Sequence, residues 1–599
     1  MKVLNILTNI KRMILLCWKH NKKYLFFSGL QVMASSVKPF IAMIFMKYFI
    51  DSLSDMIDLI YTIKIVFIMI TLRIIFETIE TSASGFVKLY AKGMMVPMAA
   101  LFCRQSVEMD YENTLNPEVL EEINRASTVL LNGDNLEEYM EALNGIIIAV
   151  IQIAGTIGII TTFNPIVFAV VFIVSVIITG IQILFQRKNY DLYHKGLSID
   201  RKWRYFLDLA VNTIYGKMVR VYDLKDFILS RSKGNREDFF QNLKKILKND
   251  MISSLICLIL DIVQMIIILT GLVFSVISNR ITIGSFSLLL SSSQQFSNSL
   301  LLLSSKLISL YKSNNYICDF FDFINRPNRL RNNVTRGLTV PEEPAEIEFR
   351  NVYFKYPNSE YYVIKNLNLR IPSGQHLMIV GENGSGKTTL VKLLLRLYDV
   401  TEGEILYNGV NIKKYDYDNY LRMFGTVFTD YKIFALSVYE NIVFKTNYES
   451  LKPKVDAILE QTGLSEKIKS LPYQGETNLS RLFENQGMYL SGGQMHKLAF
   501  SRSIYRNGVI QILDEPTANL SPLAESEIYE QFEHLLKGKT SFFISHRFSS
   551  SKISDKICVL ENGSIVEYGT HKELINKKGI YAEMYQIQAQ YYDDKETKL

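Results

Sequence analysis

One segment restricts the fold of this chain more than any other. Ala142–Gln186 runs for 45 residues without a charged side chain. About 20 residues of helix cross the hydrocarbon core of a bilayer, so the segment is too long for a single crossing. Asn164 and Pro165 supply a turn signal near its middle. The segment therefore predicts two membrane-spanning helices joined by a tight turn.

Four further apolar segments complete a predicted set of six membrane helices. Met251–Ser278 and Ile281–Ser305 form a second hairpin. Tyr24–Met46 and Tyr61–Ser84 are interrupted by charged residues, so the sequence defines the ends of these two helices less sharply. The start of the chain has a Lys-Arg pair inside its apolar pattern, which is unlike a signal peptide and predicts an amphipathic helix on the membrane surface.

Charge predicts the orientation of these helices. The connection Arg187–Asp250 carries 15 Lys and Arg against 8 Asp and Glu, and the N-terminal stretch is also basic. By the positive-inside rule, both termini and the long connections lie in the cytoplasm. The sequence thus predicts a multi-pass protein of the plasma membrane, with two long intracellular loops.

Charge and cysteine content argue against two other classes of protein. The net charge of +7 is modest and spread along the chain, so no nucleic-acid partner is expected. The five cysteines are scattered singly and none forms a C-x-x-C pair, which predicts reduced thiols and no structural metal site.

Asp261 and Gln264 lie inside the predicted helix Met251–Ser278, about one turn apart. A carboxylate inside a membrane helix suggests a functional site, and a place on the path of a transported substrate is one interpretation. A hydrogen bond that joins two helices is the other. The sequence leaves both open.

A glycine-rich loop marks a nucleotide site in the second half of the chain, which has the composition of a soluble α/β protein. The pattern G-x-x-x-x-G-K-[ST] lies between a predicted strand and a predicted helix. Backbone N–H groups of such a loop bind phosphates, Lys387 pairs with β- and γ-phosphate oxygens, and the Thr388 hydroxyl ligates Mg²⁺. The loop consists of Gly381, Glu382, Asn383, Gly384, Ser385, Gly386, Lys387, Thr388 and Thr389.

Acidic residues follow a second apolar strand, in GVIQILDEPTA. Asp514 is placed to hold Mg²⁺, and Glu515 to orient or deprotonate the attacking water. His546 ends another apolar strand, where nucleotide-binding folds place ligand contacts. These residues predict an ATP hydrolase.

The stretch LSGGQ predicts a second helix start with free backbone N–H groups. Such a start attracts an anion. Its residues are Ser491, Gly492, Gly493 and Gln494. The question raised by the sequence is why one chain carries two phosphate-binding elements.

The order of these motifs resembles the ATP-binding cassette (ABC) family, for which LSGGQ is the specific signature. With six membrane helices ahead of the cassette, the whole chain resembles a half-transporter of the bacterial exporter class. The resemblance implies an α-helical membrane domain over residues 1–322, a linker over 323–344 and an α/β nucleotide-binding domain over 345–599. It also implies that the short helices in MDYENTLNPEVLEEINRAS and YGKMVRVYDL couple the two domains.

The family also implies how the two phosphate-binding elements are used. Two cassettes pair head to tail, so that the signature of one copy caps the ATP held by the loop of the other. The expected partner is a second half-transporter, a homodimer first and a heterodimer as the alternative. Tyr356 is expected to stack on adenine, Glu515 to act as catalytic base and His546 to contact the γ-phosphate.

Two positions depart from the family pattern. Thr429 stands where the family usually has glutamine, and Ser521 stands where it usually has aspartate. Neither change removes the catalytic acid or the signature. We therefore expect ATP hydrolysis to survive and coupling across the interface to be weaker.

The function expected from this resemblance is ATP-driven export across the bilayer. The end of the chain is similar to exporters of modified peptides such as lantibiotics, and export of a lipid or of drugs on the same fold is the alternative. An importer and a regulatory membrane ATPase are further hypotheses. ATPase activity without any transported ligand would favour the last of these.

Overall fold

The structure is a computed structural model that describes residues 2–54, 59–131, 134–163, 165–212, 214–332, 337–515, 536–545 and 548–596. The chain divides into two compact units. The first, here the helical unit, comprises Met1–Val107 and Glu121–Arg326. The second, here the α/β unit, comprises Glu108–Leu120 and Pro327–Leu599. The chain thus passes between the units near residues 107, 120 and 326.

The first part of the chain is helical almost throughout. Its helices are α1 (Lys2–His20), α2 (Lys22–Ser54), α3 (Leu59–Gly93), α4 (Met95–Glu108), α5 (Tyr111–Thr114), α6 (Pro117–Leu131), α7 (Asp134–Phe163), α8 (Pro165–Val211), α9 (Gly216–Val221), α10 (Lys225–Ile277) and α11 (Ile283–Ile324). The predicted N-terminal helix is confirmed as α1. The uncharged segment forms two helices, α7 and α8, as predicted.

Five segments of the described chain are long and apolar enough to cross a membrane: Lys22–Ser54, Leu59–Glu108, Asn135–Thr161, Ala169–Asn189 and Lys225–Ile277. They agree with five of the six predicted crossings. At 47 and 53 residues, α8 and α10 also extend far beyond the length that a bilayer requires. The sixth crossing, in α11, stays a prediction because its middle is rich in serine, glutamine and asparagine.

The polar stripe of α11 is turned inward, which explains how so many hydroxyls fit in an apolar unit. Ser299 is buried, and its Oγ donates to Oε1 of Gln152 on α7 at 3.1 Å. Gln152 Nε2 in turn donates to the carbonyl of Ser35 on α2 at 3.0 Å. Interhelical hydrogen bonds of this kind stabilise helix packing where water is excluded.

The α/β unit contains two sheets. Its strands are β1 (Ile347–Phe354), β2 (Ile364–Ile371), β3 (His376–Val380), β4 (Glu402–Tyr407), β5 (Val410–Asn411), β6 (Phe424–Val427), β7 (Ile510–Asp514), β8 (Thr540–Ile544), β9 (Lys556–Glu561) and β10 (Ser564–Gly569). The smaller sheet is antiparallel with order β2-β1-β4-β5. The larger has order β10-β9-β3-β8-β7-β6 and is parallel except for β10 at its edge.

The helices described in this unit after residue 327 have at most 17 residues. They are α12 (Arg329–Asn332), α13 (Lys387–Leu394), α14 (Tyr417–Arg422), α15 (Val438–Val443), α16 (Lys452–Gln461), α17 (Ser465–Lys469), α18 (Gly492–Arg506), α19 (His571–Lys577) and α20 (Ile580–Glu596). The apolar side of α13 belongs to a core shared with both sheets. Helices α15, α16 and α17 and the start of α18 share a separate apolar cluster that includes Leu490 and Leu498.

Candidate active site

Parallel strands bring the predicted nucleotide residues to one edge of the larger sheet. β3 lies between β8 and β9, and β7 lies beside β8. Parallel strands end at the same edge, where α/β folds bind ligands. The phosphate loop follows β3, the acidic pair ends β7, and Thr429 follows β6 by two residues. Residues that are far apart in sequence therefore meet at this edge.

Glycine is required at two positions of the phosphate loop. Gly381 has φ +152° and lies against the carbonyl oxygen of Leu560, so a Cβ at this position would collide with it. Gly386 has φ +107° and caps the N-terminus of α13. Side chains are strained at such φ values. The loop can therefore turn directly from a buried strand into α13, and the N-terminal N–H groups of such a helix can bind an anion.

The phosphate loop presents one cation and one unpartnered hydroxyl. Lys387 Nζ donates to the carbonyls of Gly381 and Glu382, at 2.8 Å each, so the ammonium group lies over the loop. Ser385 is buried, and its Oγ has no hydrogen-bond partner among the described residues. Burial lowers the pKa of Lys387, and the nearby carboxylates of Glu515 and Asp514 oppose that shift. This arrangement fits a phosphate group.

Two adjacent carboxylates lie at the end of β7. Asp514 is 8% exposed, and burial, with the charge of Glu515 second, raises its pKa to about 6. Glu515 has φ +47°, a conformation that costs a non-glycine residue energy and is found at functional sites. Its N–H donates to the carbonyl of Ile544 at 2.7 Å, which holds it in this conformation.

Thr429 contacts the acidic pair through the backbone. Its Oγ1 donates to the carbonyl oxygen of Asp514 at 3.2 Å. The side chain is therefore next to the predicted Mg²⁺ ligand although it is shorter than the glutamine that the family usually has. Thr388, the second residue of α13, is exposed.

Tyr356 follows β1 and contacts the third residue of α13, the helix that follows the phosphate loop. Its hydroxyl and that of Thr389 are 2.9 Å apart and share a hydrogen bond. The ring meets Phe354 and Tyr398 edge-on, and the Lys392 ammonium lies 5.9 Å from its centre. Stacking of Tyr356 on adenine stays a prediction.

The signature forms the N-terminus of α18. Ser491 Oγ accepts from the N–H of Gln494 at 3.4 Å, and Gln494 Oε1 accepts from the N–H of Ser491 at 3.0 Å, a capping box. Both side chains thus satisfy the helix end, and Ser491 and Gly492 are exposed. The first-turn N–H groups of Gly492 and Gly493 have no intrahelical acceptor by the geometry of a helix and remain directed outward.

The other predicted site residues divide into two groups. His546 and Ser521 lie outside the described residues. Asp261 lines a cavity of about 250 Å³ in the helical unit together with Cys257. Gln264 is buried, and its Nε2 donates to Ser297 Oγ at 2.8 Å. The role of Asp261 and Gln264 in a substrate path stays a prediction.

Sequence reasoning missed a buried arginine at the far end of α13. Arg396 is fully buried with φ +53°. Its guanidinium donates to the carbonyls of Leu330 and Ile412 and to the Asp399 carboxylate, at 3.4 Å each. A cation is favourable at the C-terminus of a helix. In the sequence, Arg396 stands out only because it precedes LYD, and no local sequence pattern indicates that its side chain reaches the linker.

Asp110 connects the first intracellular loop to the same linker. Its carboxylate accepts from the N–H of Arg329 at 2.7 Å and from the N–H of Leu330 at 3.2 Å. Next to it, Tyr111 meets the ring of Tyr398 edge-on at 5.7 Å. Asp110 and the linker are therefore hydrogen-bonded to each other. Arg396, which follows α13, bonds to the same linker at Leu330.

Comparison with known proteins agrees with this geometry. Residues 364–518 match the family model described as "ABC transporter". The chain is 29% identical over 485 residues to the subtilin transport ATP-binding protein of Bacillus subtilis, which covers 80% of this chain and 78% of that protein. A solved bacterial Atm1-family ABC exporter with ATP bound has a TM-score of 0.79, over 95% of this chain and 98% of that one, at 19% identity. At this identity, the similarity to the Atm1-family exporter is one of fold alone.

ATP-dependent lipid A-core flippases match a shorter region. The flippase of Burkholderia orbicola (strain AU 1054) is 36% identical over 254 residues, and that of Escherichia coli (strain K12) is 32% identical over 249 residues. In both cases the match covers 42% of this chain and 42% of the flippase.

The roles assigned to Lys387 and Glu515 predict different defects. Glu515→Gln keeps the shape of the side chain but removes the group that accepts a proton from water, so ATP binding should persist while turnover falls by about 100-fold or more. Lys387→Ala removes the phosphate contact and should weaken ATP binding itself. The measurements are ATP affinity and multiple-turnover phosphate release on the purified chain. Turnover of the Glu515→Gln variant near that of the parent would refute the assignment.

The contacts of Arg396 predict a local defect in the linker. Arg396→Met removes the buried guanidinium that donates to the Leu330 and Ile412 carbonyls and leaves the Asp399 carboxylate with its longer pair to Lys413 at 3.6 Å. The change should destabilise the α/β unit by about 3 kcal/mol. The linker should then be cut faster by trypsin after Arg329 and Arg331. Thermal unfolding and timed proteolysis of the full chain test this.

The matched control is Arg370→Met, since Arg370 is an exposed arginine on β2 that pairs with the side chain of Glu346. It should change neither the unfolding temperature nor the rate of linker cleavage. A rate of linker cleavage in Arg396→Met equal to that of the control would show that Arg396 does not hold the linker.

Proposed function

We propose that two copies of this chain pair and use ATP to export a modified peptide from the cytoplasm, because residues 364–518 match the ABC transporter model and the fold is that of a solved ABC exporter. ATP hydrolysis coupled to transport, and a multi-pass location in the plasma membrane with a cytoplasmic cassette, follow from the family and the fold. What we propose in addition is the identity of the partner, of the metal and of the substrate.

One observation favours a peptide over a lipid. The match to the subtilin transport protein spans 485 residues, which exceeds the 255 residues from 345 to the end of the chain by about 230. It therefore includes much of the helical unit. The match to the flippases is about as long as the cassette alone. The membrane helices form the path of a transported substrate. The similarity to the subtilin transport protein includes these helices, so it is more informative about the substrate than the similarity to the flippases.

The proposed metal is Mg²⁺, bound with ATP. Thr388 and Asp514 supply hydroxyl and carboxylate oxygens, the ligands that Mg²⁺ prefers. The buried Asp514 carboxylate beside Glu515 has a raised pKa, so a cation at this edge of the sheet would stabilise its ionised form. When bound, the ion neutralises charge on the phosphates.

The hydrolytic step is assigned to the residues at the sheet edge. Lys387 and the N–H groups of the phosphate loop hold the β- and γ-phosphates. Glu515 accepts a proton from the water that attacks the γ-phosphorus, and the bond from the γ-phosphorus to the β–γ bridging oxygen breaks, so that ADP leaves and inorganic phosphate forms. The N–H groups of Gly492 and Gly493 from the second copy bind the γ-phosphate from the opposite side. His546 is proposed as a further contact of the γ-phosphate.

Coupling is proposed to be weaker than is usual in the family. Thr429 replaces the glutamine that reports nucleotide state, and its hydroxyl is engaged with the Asp514 carbonyl. Ser521 replaces an aspartate at the interface. Both departures leave the catalytic acid Glu515 in place. We therefore expect them to weaken the coupling between ATP hydrolysis and transport and to leave hydrolysis itself intact.

Transport of subtilin by inside-out vesicles tests the proposed substrate class. ATP should drive accumulation of subtilin in vesicles that contain the parent protein and not in vesicles that contain Glu515→Gln. Uptake in this orientation corresponds to export. ATP-dependent movement of lipid A-core without subtilin uptake would instead support the flippase alternative, and ATPase activity with neither would support a regulatory ATPase.

Mixed dimers test the shared site. Lys387→Ala disables the phosphate loop, and Ser491→Arg blocks the signature, so each homodimer should be inactive. A dimer of one Lys387→Ala copy and one Ser491→Arg copy retains one intact pair and should recover about half of the parent ATPase if the sites act independently. Copies with different tags allow its purification. A mixed dimer as inactive as both homodimers would contradict the split site.

A further inference from the structure

The segment between β6 and α15, residues 428–437, contacts the signature helix α18. Near its start, the Thr429 hydroxyl donates to the carbonyl oxygen of Asp514 at 3.2 Å. Two residues later, the Tyr431 hydroxyl donates to the carbonyl oxygen of Gly492, in the signature, also at 3.2 Å. A stretch of three residues therefore contacts both the acidic pair and the signature of the same chain.

The Gly492 carbonyl belongs to the peptide group that also contains the N–H of Gly493. A peptide group is planar and trans, so its C=O and its N–H point in opposite directions. A donor that fixes the direction of the Gly492 C=O therefore fixes the direction of the Gly493 N–H as well. This N–H is one of the two groups assigned above to the γ-phosphate held by the second copy.

Two glycines in succession leave this peptide group weakly constrained by side chains. Glycine has more conformational freedom than any other residue, and helix ends fray. Gly492 is exposed, and a Cβ built on it would meet no heavy atom of the described residues within 4 Å, apart from its chain neighbours and the backbone of its own helix turn. Packing therefore does not hold the start of α18 at Gly492, and a hydrogen bond from outside the helix adds a constraint that this helix end lacks.

The ring of Tyr431 is itself held against α18 by His496. The two rings meet edge-on, with their centres 5.6 Å apart. His496 is 5% exposed, and burial lowers its pKa to about 4, so the imidazole is neutral at pH 7 and packs there without the cost of burying a charge. His496 lies one helical turn after Gly492. The ring contact therefore keeps the Tyr431 hydroxyl close to the Gly492 carbonyl.

Arg502 bonds the continuation of the segment to the same helix. Its guanidinium donates to the carbonyl oxygen of Lys432 at 2.6 Å, and to the carbonyl and side-chain oxygens of Asn441 at 2.7 Å each. Asn441 Oδ1 also accepts from the N–H of Phe434 at 3.0 Å. The residue directly after Tyr431 is thus bonded to α18 as well, so the segment can shift along α18 only if these bonds break.

We propose that Tyr431 is a positioning residue for ATP hydrolysis, which holds the Gly493 N–H in the direction of the ATP bound by the second copy. This role rests on the proposed head-to-tail pairing. Tyr431 acts through the Gly492 carbonyl and is assigned no contact with the nucleotide. Its effect therefore belongs to the signature of its own copy and to the ATP of the other copy, whereas Thr429 lies beside the acidic pair of its own copy.

A purely structural role for the hydroxyl makes a different prediction. The hydrogen bond from Tyr431 to Gly492 lies at the surface, where water can replace it, so it contributes little to folding. A structural defect would disturb the phosphate loop and the signature of the altered copy alike. Loss of a positioning contact instead impairs only the ATP site to which the altered signature belongs.

Mixed dimers with one working site distinguish the two roles. When one copy carries Lys387→Ala and the other carries Ser491→Arg, the working site combines the signature of the first copy with the phosphate loop of the second. Tyr431→Phe removes only the hydroxyl and is added to either copy. On the copy with the working signature, it should lower the ATPase rate at saturating ATP about fivefold more than on the other copy, as expected for the loss of one hydrogen bond. Equal rates in the two arrangements overturn the proposal.

Tyr448→Phe is the matched control. Tyr448 packs against the apolar cluster that supports the start of α18, and its hydroxyl donates to the Glu476 carboxylate at 2.7 Å. The rate should be the same whichever copy carries this change. A dependence on the copy as large as that for Tyr431→Phe would refute the assignment to Tyr431. Thermal unfolding and ATP affinity are measured on every preparation, and a lower unfolding temperature with equal loss of rate in both arrangements would establish the structural role instead.

The mixed dimer without Tyr431→Phe separates this proposal from the function on which it rests. If that dimer is as inactive as the two homodimers, the shared site is wrong, and the positioning role is refuted with it. If it hydrolyses ATP, the shared site stands, and rates that do not depend on the copy carrying Tyr431→Phe refute the role of Tyr431 alone. Failure of subtilin uptake concerns the substrate class and alters neither conclusion.

Discussion

Burial of the short helix α13 is the constraint on which the nucleotide site depends. Leu390, Leu393 and Leu394 are almost fully buried in the core that α13 shares with both sheets. The helix can neither slide nor rotate without opening that core. Its N-terminus therefore holds the phosphate loop at the edge of the sheet, and the chain beyond its C-terminus holds Arg396 against the linker. A nucleotide bound at the N-terminus of α13 therefore acts on the contact between Arg396 and the linker, because the buried helix moves as a rigid element.

The signature helix is supported differently, and this bears on the proposal that a second copy completes the site. Leu490 and Leu498 anchor the start of α18 in a cluster with α15, α16 and α17, apart from the core around α13. Ser491 and Gln494 use their side chains to cap their own helix. What the signature offers is thus mainly backbone N–H at an exposed helix end, which suits the phosphate of another copy. In the proposed pairing, each half-site supplies what the other lacks.

Local patterns predicted more of this structure than long-range contacts did. The phosphate loop, the acidic pair and the signature are contiguous motifs whose neighbouring strands and helices are fixed by short-range periodicity. The contact of Thr429 with Asp514 and that of Arg396 with Leu330 join residues 85 and 66 positions apart, and no local signal indicates them. The left-handed conformation of Glu515 likewise depends on the neighbouring strand. Composition was least informative for α11, where the buried serines bond across to other helices and lower the mean hydropathy.

Polar side chains in the helical unit can be sorted by whether they find partners. Ser299 bonds to Gln152, and Ser175 bonds to Ser297, so these groups hold helices together and need no ligand. Thr179 and Ser304 also carry hydroxyls in α8 and α11, yet their oxygens are buried without a hydrogen-bond partner among the described residues. Hydroxyl side chains within a few turns of the same helices therefore differ in whether they join two helices. Residue type, which is all that a sequence offers, does not indicate which hydroxyls bond across to a neighbouring helix, because that depends on how the helices pack.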